Sequence, residues 1–154
     1  MVLRPFNTYG PRQSTRAIVP TIINQCFHSD IIKLGNITTT RDFNYVSDTV
    51  EGFLRAASTT AAVGKVFNVG TGRQISVKQL VATVAKILDK KVLLKIDTKK
   101  FRPEKSEVFR LLADNRAAKK ILGWHPKTSL ESGLRKTIEW FQGVGFQSRP
   151  SSYV

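Results

Sequence analysis

Two arginines stand where arginine can do chemistry: Arg41 closes the run Thr38-Thr39-Thr40, and Arg102 precedes Pro103. A guanidinium is a planar fork that donates parallel hydrogen bonds to phosphate oxygens, and turn positions let several forks converge on one anion. The other reactive residue types lead away from catalysis. His28 and His125 are the only histidines, lie far apart, and have no metal-ligand spacing with Cys, Asp or Glu, so no metal site is assigned. Cys26 sits alone in an apolar helical pattern and reads as core packing. No Gly-x-Ser-x-Gly elbow occurs. Gly70-Thr71-Gly72 follows a strand pattern, but Ile75 stands where the third glycine of a dinucleotide fingerprint belongs, which favours a tight turn over a cofactor loop. A Tyr-x-x-x-Lys pair is missing too: Gln13 lies four residues after Tyr9, and Thr49 four after Tyr45. No catalytic residue is assigned.

The elements that must position these arginines alternate between strands and helices. Residues 1–6 read as a strand running into a turn at Asn7-Thr8-Tyr9-Gly10-Pro11. A helix is predicted over 17–27, a strand over Ile31–Leu34 and another over Asp42–Val46. The next helix starts at Ser47 or Asp48, with Val50, Phe53, Leu54 and Ala57 forming its buried stripe. A strand over Lys65–Val69 leads to a helix over Ser76–Leu88, opened by the capping-box pair Ser76 and Gln79. Strands at Val92–Ile96 and Leu111–Ala113 follow, then a helix capped by Asp114 and stopped at Gly123, and a last one capped by Ser129 running to about Phe141. The order implies a mixed α/β fold, with a domain over residues 1–142 and a flexible tail over 143–154.

Twenty-five Lys and Arg against eleven Asp and Glu give the 154-residue chain a formal charge of +14. Anionic partners are favoured. The apolar runs are too short to span a membrane and no secretory signal is recognisable, so a cytoplasmic protein is expected, with no membrane partner.

Four landmarks in order then carry a resemblance. They are Leu3-Arg4-Pro5-Phe6-Asn7-Thr8-Tyr9-Gly10-Pro11-Arg12-Gln13, Arg41-Asp42-Phe43-Asn44-Tyr45-Val46-Ser47-Asp48-Thr49, Phe67-Asn68-Val69-Gly70-Thr71-Gly72, and Arg102-Pro103-Glu104-Lys105-Ser106-Glu107-Val108 followed by Asp114 and Leu122-Gly123-Trp124. Together they resemble the C-terminal, substrate-binding part of an extended short-chain dehydrogenase, the NAD-dependent nucleotide-sugar epimerase and dehydratase family. Within it the chain looks closest to the UDP-N-acetylglucosamine 4,6-dehydratase branch of legionaminic-acid-type pathways. The resemblance implies Pro5 and Phe6 beside the nicotinamide and sugar, Asn7 on the sugar-diphosphate, Ile32 and Leu34 on the strand flanking the base, and Arg41 and Arg102 on the diphosphate, with Arg16 a further candidate.

A full-length member carries a glycine-rich Rossmann half and the tyrosine-lysine pair ahead of Leu3. Their absence from this sequence implies a UDP-sugar-binding domain that binds weakly, is inactive alone and holds no NAD by itself. Two partners are consistent with that: a second copy in a homo-oligomer, or a separate chain supplying the Rossmann half of a split enzyme. The reading from a different class is a basic module for nucleic acid or an acidic protein. The sequence offers it neither aromatic-basic interleaving nor a recognised motif.

Overall fold

The computed structural model describes residues 1–101, 103 and 107–144. Its first strand, β1 (Val2–Pro5), pairs in parallel with β6 (Val66–Val69), Val2 opposite Val66 and Pro5 opposite Val69, so the two strands expected from the sequence lie side by side. The chain does not turn after residue 6. Phe6 donates its N–H to Val69, and the next three residues form β2 (Asn7–Tyr9), parallel to β5 (Phe43–Tyr45). One extended run thus changes partner at Phe6, and the turn falls at Gly10-Pro11-Arg12 instead. Gly10 and Pro11 do lie at the turn, whereas Asn7, Thr8 and Tyr9, expected in it, pair with the Phe43 strand and extend the ladder.

Helix α1 (Ile18–His28) leads to β3 (Ile31–Leu34), which pairs in parallel with β8 (Leu93–Ile96). β4 (Thr40–Arg41) lies between the short strands β7 (Ile75–Ser76) and β9 (Arg110–Leu111). Helix α3 (Val77–Ile87) has the full capping box predicted: Ser76 Oγ accepts from the Gln79 N–H, and Gln79 reaches back to the Ser76 N–H. Helix α5 (Leu130–Gly143) is capped by Ser129. Helix α4 (Arg116–Leu122) ends on Gly123 in the left-handed region. Asp114 lies outside that helix, its carboxylate paired with Arg116, and Asn115 takes the cap position. Residues 145–154, most of the expected tail, lie outside the described residues. No described helix is long and apolar enough to cross a membrane.

Two hydrophobic clusters result. The larger joins α1, α3 and α5 to β2, β3 and β5, and contains Cys26, whose thiol burial pushes up to about 11. The smaller lies over one face of β1 and β6, where Phe67, Val69 and Trp124 pack against α4 and α2 (Val46–Ser58).

Helix α2 corrects the predicted packing. Its inward residues are Asp48, Thr49, Gly52 and Ala56, while Val50, Phe53 and Leu54 are about half to two-thirds exposed, at 51%, 48% and 66%. The helix rests so close to the sheet that a Cβ on Gly52 would stand 2.9 Å from Val69 Cγ1 and 3.3 Å from Trp124 Nε1. Only small residues fit there, so the bulky apolar ones face out. Asp48 does not cap this helix; its buried carboxylate accepts from the N–H groups of Lys127 and Thr128 and from the Thr128 hydroxyl.

Candidate functional site

The C-terminal ends of β1 and β6 meet the loops around a single buried carboxylate. Asp42, fully buried, accepts from Thr71 N at 2.9 Å, Thr71 Oγ1 at 2.5 Å, Gly72 N at 2.8 Å and Ala113 N at 3.2 Å. The Gly70-Thr71-Gly72 turn therefore spends its amides on an internal anion, and its role as a turn is the one the structure supports. Gly70 sits where the segments cross: a Cβ there would approach Ala113 Cβ to 2.6 Å and Phe6 Cβ and Asp42 Oδ2 to 3.1 Å. Gly72 has φ of 72°, a conformation glycine adopts freely. Asn115 closes the loop from the far side, donating to the Gly70 carbonyl at 2.7 Å.

This junction positions Pro5, Phe6 and Asn7 together on a cleft of about 660 Å³, shared with Arg4, Asn68 and Leu111. Asn7 Nδ2 donates to the Asp42 carbonyl at 3.2 Å, so the residue predicted to touch a diphosphate is pinned one position from Arg41. Arg41 in turn stands opposite Leu111 in the β4–β9 ladder. Its guanidinium is mostly buried, donates from Nη1 to the Thr40 carbonyl at 2.9 Å, and pairs through Nη2 with Glu107 at 3.6 Å. Open cleft at the carboxyl ends of parallel strands is the usual ligand position in α/β sheets.

The remaining predicted residues are dispersed. Arg16 is exposed in the turn before α1; among the described residues only its backbone is bonded, to Ser14 Oγ at 3.4 Å. Ile32 and Leu34 point into the main core, so a ligand beside β3 would meet that strand's backbone or its outward residues, not these two side chains. Arg102 lies outside the described residues. Among the described residues before it, Lys100 packs its carbonyl against Gly35 so tightly that a Cβ there would come within 2.6 Å. Among those after it, Phe109 accepts from the Thr40 N–H at 2.9 Å.

A larger cleft of about 1030 Å³ borders the same junction through Thr71, Gly72, Ala113 and Asn115, is flanked by Arg116 and Lys127, and holds none of the predicted site residues. Two of its cations are already paired: Arg116 with Asp114 at 2.6 Å, holding that carboxyl down at about 2, and Lys127 with Glu51 at 2.9 Å. Size alone does not make it the site. His28 is engaged locally, Nδ1 lying 2.8 Å from the Asn24 carbonyl. Asp42 and Glu107 stand inside the landmark motifs, but sequence reading gave neither a role, because their partners lie far along the chain.

The mixed α/β architecture is that of the short-chain-dehydrogenase-type epimerases. It matches the UDP-glucuronic acid 4-epimerase of Bacillus cereus, solved with UDP-glucuronic acid and NAD, with a TM-score of 0.84 at 28% identity, over 94% of this chain and 45% of that one. The family model described as GDP-mannose 4,6 dehydratase matches residues 1–137, and the chain belongs to that family. Similar relatives include the UDP-glucose 4-epimerase of Mycolicibacterium smegmatis, 32% identical over 91% of this chain and 44% of the relative. The dTDP-D-glucose 4,6-dehydratase of Mus musculus is 28% identical over 92% and 41%. The chain spans less than half the length of each of these proteins.

Proposed function

We propose that this chain is the UDP-sugar-binding part of an NAD-dependent nucleotide-sugar 4,6-dehydratase or epimerase, and that it is catalytically inert alone. The observation that supports this reading is the Asp42 junction: Pro5, Phe6 and Asn7 share one cleft, Asn7 bonds the carbonyl of Asp42, and the preceding Arg41 pairs in the ladder with Leu111, which lines that cleft. Arg41 and, on sequence grounds, Arg102 bind the diphosphate; Asn7 bonds the sugar-diphosphate. UDP-N-acetylglucosamine is the substrate the landmark residues favour.

The chemistry that bound NAD would supply in the complete enzyme is reversible hydride exchange with the sugar. The residues here fit one end of that molecule. Pro5 and Phe6 offer an apolar contact to a ring, whereas the amides of Thr71 and Gly72, the turn's natural phosphate donors, are occupied by Asp42. The phosphates of NAD need another chain or segment. The exposed surfaces support such a complement. Val2 and Val66 lie opposite each other on the uncovered face of β1 and β6, although parallel sheets are ordinarily covered on both faces. The outward stripe of α2 lies on the other side of that sheet. An α/β body continuing the sheet with a helix on each face covers both.

Titration of isotope-labelled protein with UDP, GDP and dTDP tests the reading. UDP should shift amides around Asn7 and Arg41 at lower concentration than the other two; equal responses, or shifts confined to the larger basic cleft, would remove the UDP assignment.

A further inference from the structure

The pairing of Arg41 with Glu107 bears on how the proposed diphosphate site works, and the inference rests on that reading. Arg41 is 15% exposed and Glu107 11%. Both side chains are thus largely enclosed, and each faces the other. Arginine has five N–H donors in a rigid fork. Here Nη1 is held by the Thr40 carbonyl and Nη2 is drawn towards Glu107 at 3.6 Å, which is longer than the roughly 2.7–2.9 Å of a charge-assisted hydrogen bond. The carboxylate thus directs the fork by attraction without consuming its donors, and among the described residues Nε–H and the outer Nη hydrogens have no hydrogen-bond partner. The backbone beneath is equally fixed. Thr40 and Arg41 form the central strand of the β7–β4–β9 sheet, and the Thr40 N–H bonds the Phe109 carbonyl two residues beyond Glu107.

We propose that Glu107 is a positioning residue that holds the Arg41 guanidinium in its phosphate-binding orientation before a nucleotide diphosphate arrives. An arginine side chain free to rotate loses that freedom on binding, and a fork already held loses little. Glu107 therefore raises affinity although its own charge has the wrong sign for an anion.

The test combines UDP affinity with the order of the Arg41 side chain. In the whole chain, Glu107→Ala should weaken UDP binding by about fivefold, the effect of freeing one long side chain. Glu107→Gln, which keeps an oxygen in the same place, should weaken it less. In an Arg41→Ala background neither change should matter, because nothing remains to be positioned; a merely structural role would weaken binding in both backgrounds. Relaxation of the Arg41 Nε–Hε pair should report a rigid side chain in the parent and a mobile one in Glu107→Ala. Tighter or unchanged UDP binding in Glu107→Ala, equal losses in the two backgrounds, or an Arg41 side chain equally mobile in parent and variant would each overturn the proposal. If Arg41→Ala leaves UDP affinity untouched while Glu107→Ala still mobilises Arg41, the diphosphate reading fails and the ordering of Arg41 by Glu107 stands as a structural fact.

Discussion

Asp42 shows how far a single residue can organise a site without touching a ligand. A buried carboxylate with four donors directed at it is stable only while all four are present, because hydrogen bonds to a charged group contribute about 1.5–3 kcal/mol each and an orphaned donor is penalised separately. Asp42→Asn turns an amide –NH2 towards donors that need an acceptor. It should lower unfolding free energy by about 2–4 kcal/mol in a denaturant melt. A change below about 0.5 kcal/mol would mean that water or a neighbour replaces the carboxylate. The sequence shows Asp42 beside Arg41 and shows the Gly-Thr-Gly turn, and each is legible alone. That they bond each other is a tertiary fact, invisible to local spacing. Arg41 was singled out by residue type and by an expected turn position; the structure replaces that turn with the short strand β4, so spacing found the residue and missed its setting.

At the scale of elements, the helices declare themselves and their orientation does not. Ser76 with Gln79, Ser129 and Gly123 fixed helix ends correctly because caps are local hydrogen-bond chemistry. Helix α2 was found, but its apolar stripe was assigned to the core. Periodicity says which face is apolar and cannot say which way that face points. Two substitutions separate the faces. Gly→Ala within a helix ordinarily stabilises by about 0.5–1 kcal/mol, but Gly52→Ala should destabilise by about 1–3 kcal/mol, since its methyl meets Val69 and Trp124. Leu54→Lys, a core-breaking change on the sequence reading, should leave stability within about 0.5 kcal/mol. Thermal or chemical melts of the two variants decide it; a destabilised Leu54→Lys with a tolerated Gly52→Ala would show α2 to be turned the other way.

For the whole molecule, the open surfaces and the borrowed chemistry belong together. An outward apolar stripe on α2 and a half-exposed valine pair on a parallel sheet are faces that proteins ordinarily cover. The isolated chain should therefore self-associate, and Leu54→Lys should shift sedimentation towards monomer. A clean monomer at high concentration would count against this. With NAD and a UDP-sugar the pure chain should form no 4-keto product, since the sequence holds neither the glycine fingerprint nor the tyrosine-lysine pair. Sustained turnover that copurifies with the protein would contradict that.

The claim on which the rest depends is that the cleft binds a UDP-sugar diphosphate through an inherited arginine and not through diffuse positive charge. Calorimetric or NMR titration of UDP into the parent chain, Arg41→Ala and the exposed-lysine variants Lys99→Ala and Lys100→Ala tests it directly. With the pocket open to solvent, parent affinity should be weak, on the order of millimolar. Arg41→Ala should weaken it by about tenfold, as loss of a charge-assisted hydrogen bond requires, while either lysine change should shift it by less than about twofold. If the lysine changes weaken binding as much as Arg41→Ala does, the attraction is that of a basic surface and the site proposed for this chain is not there.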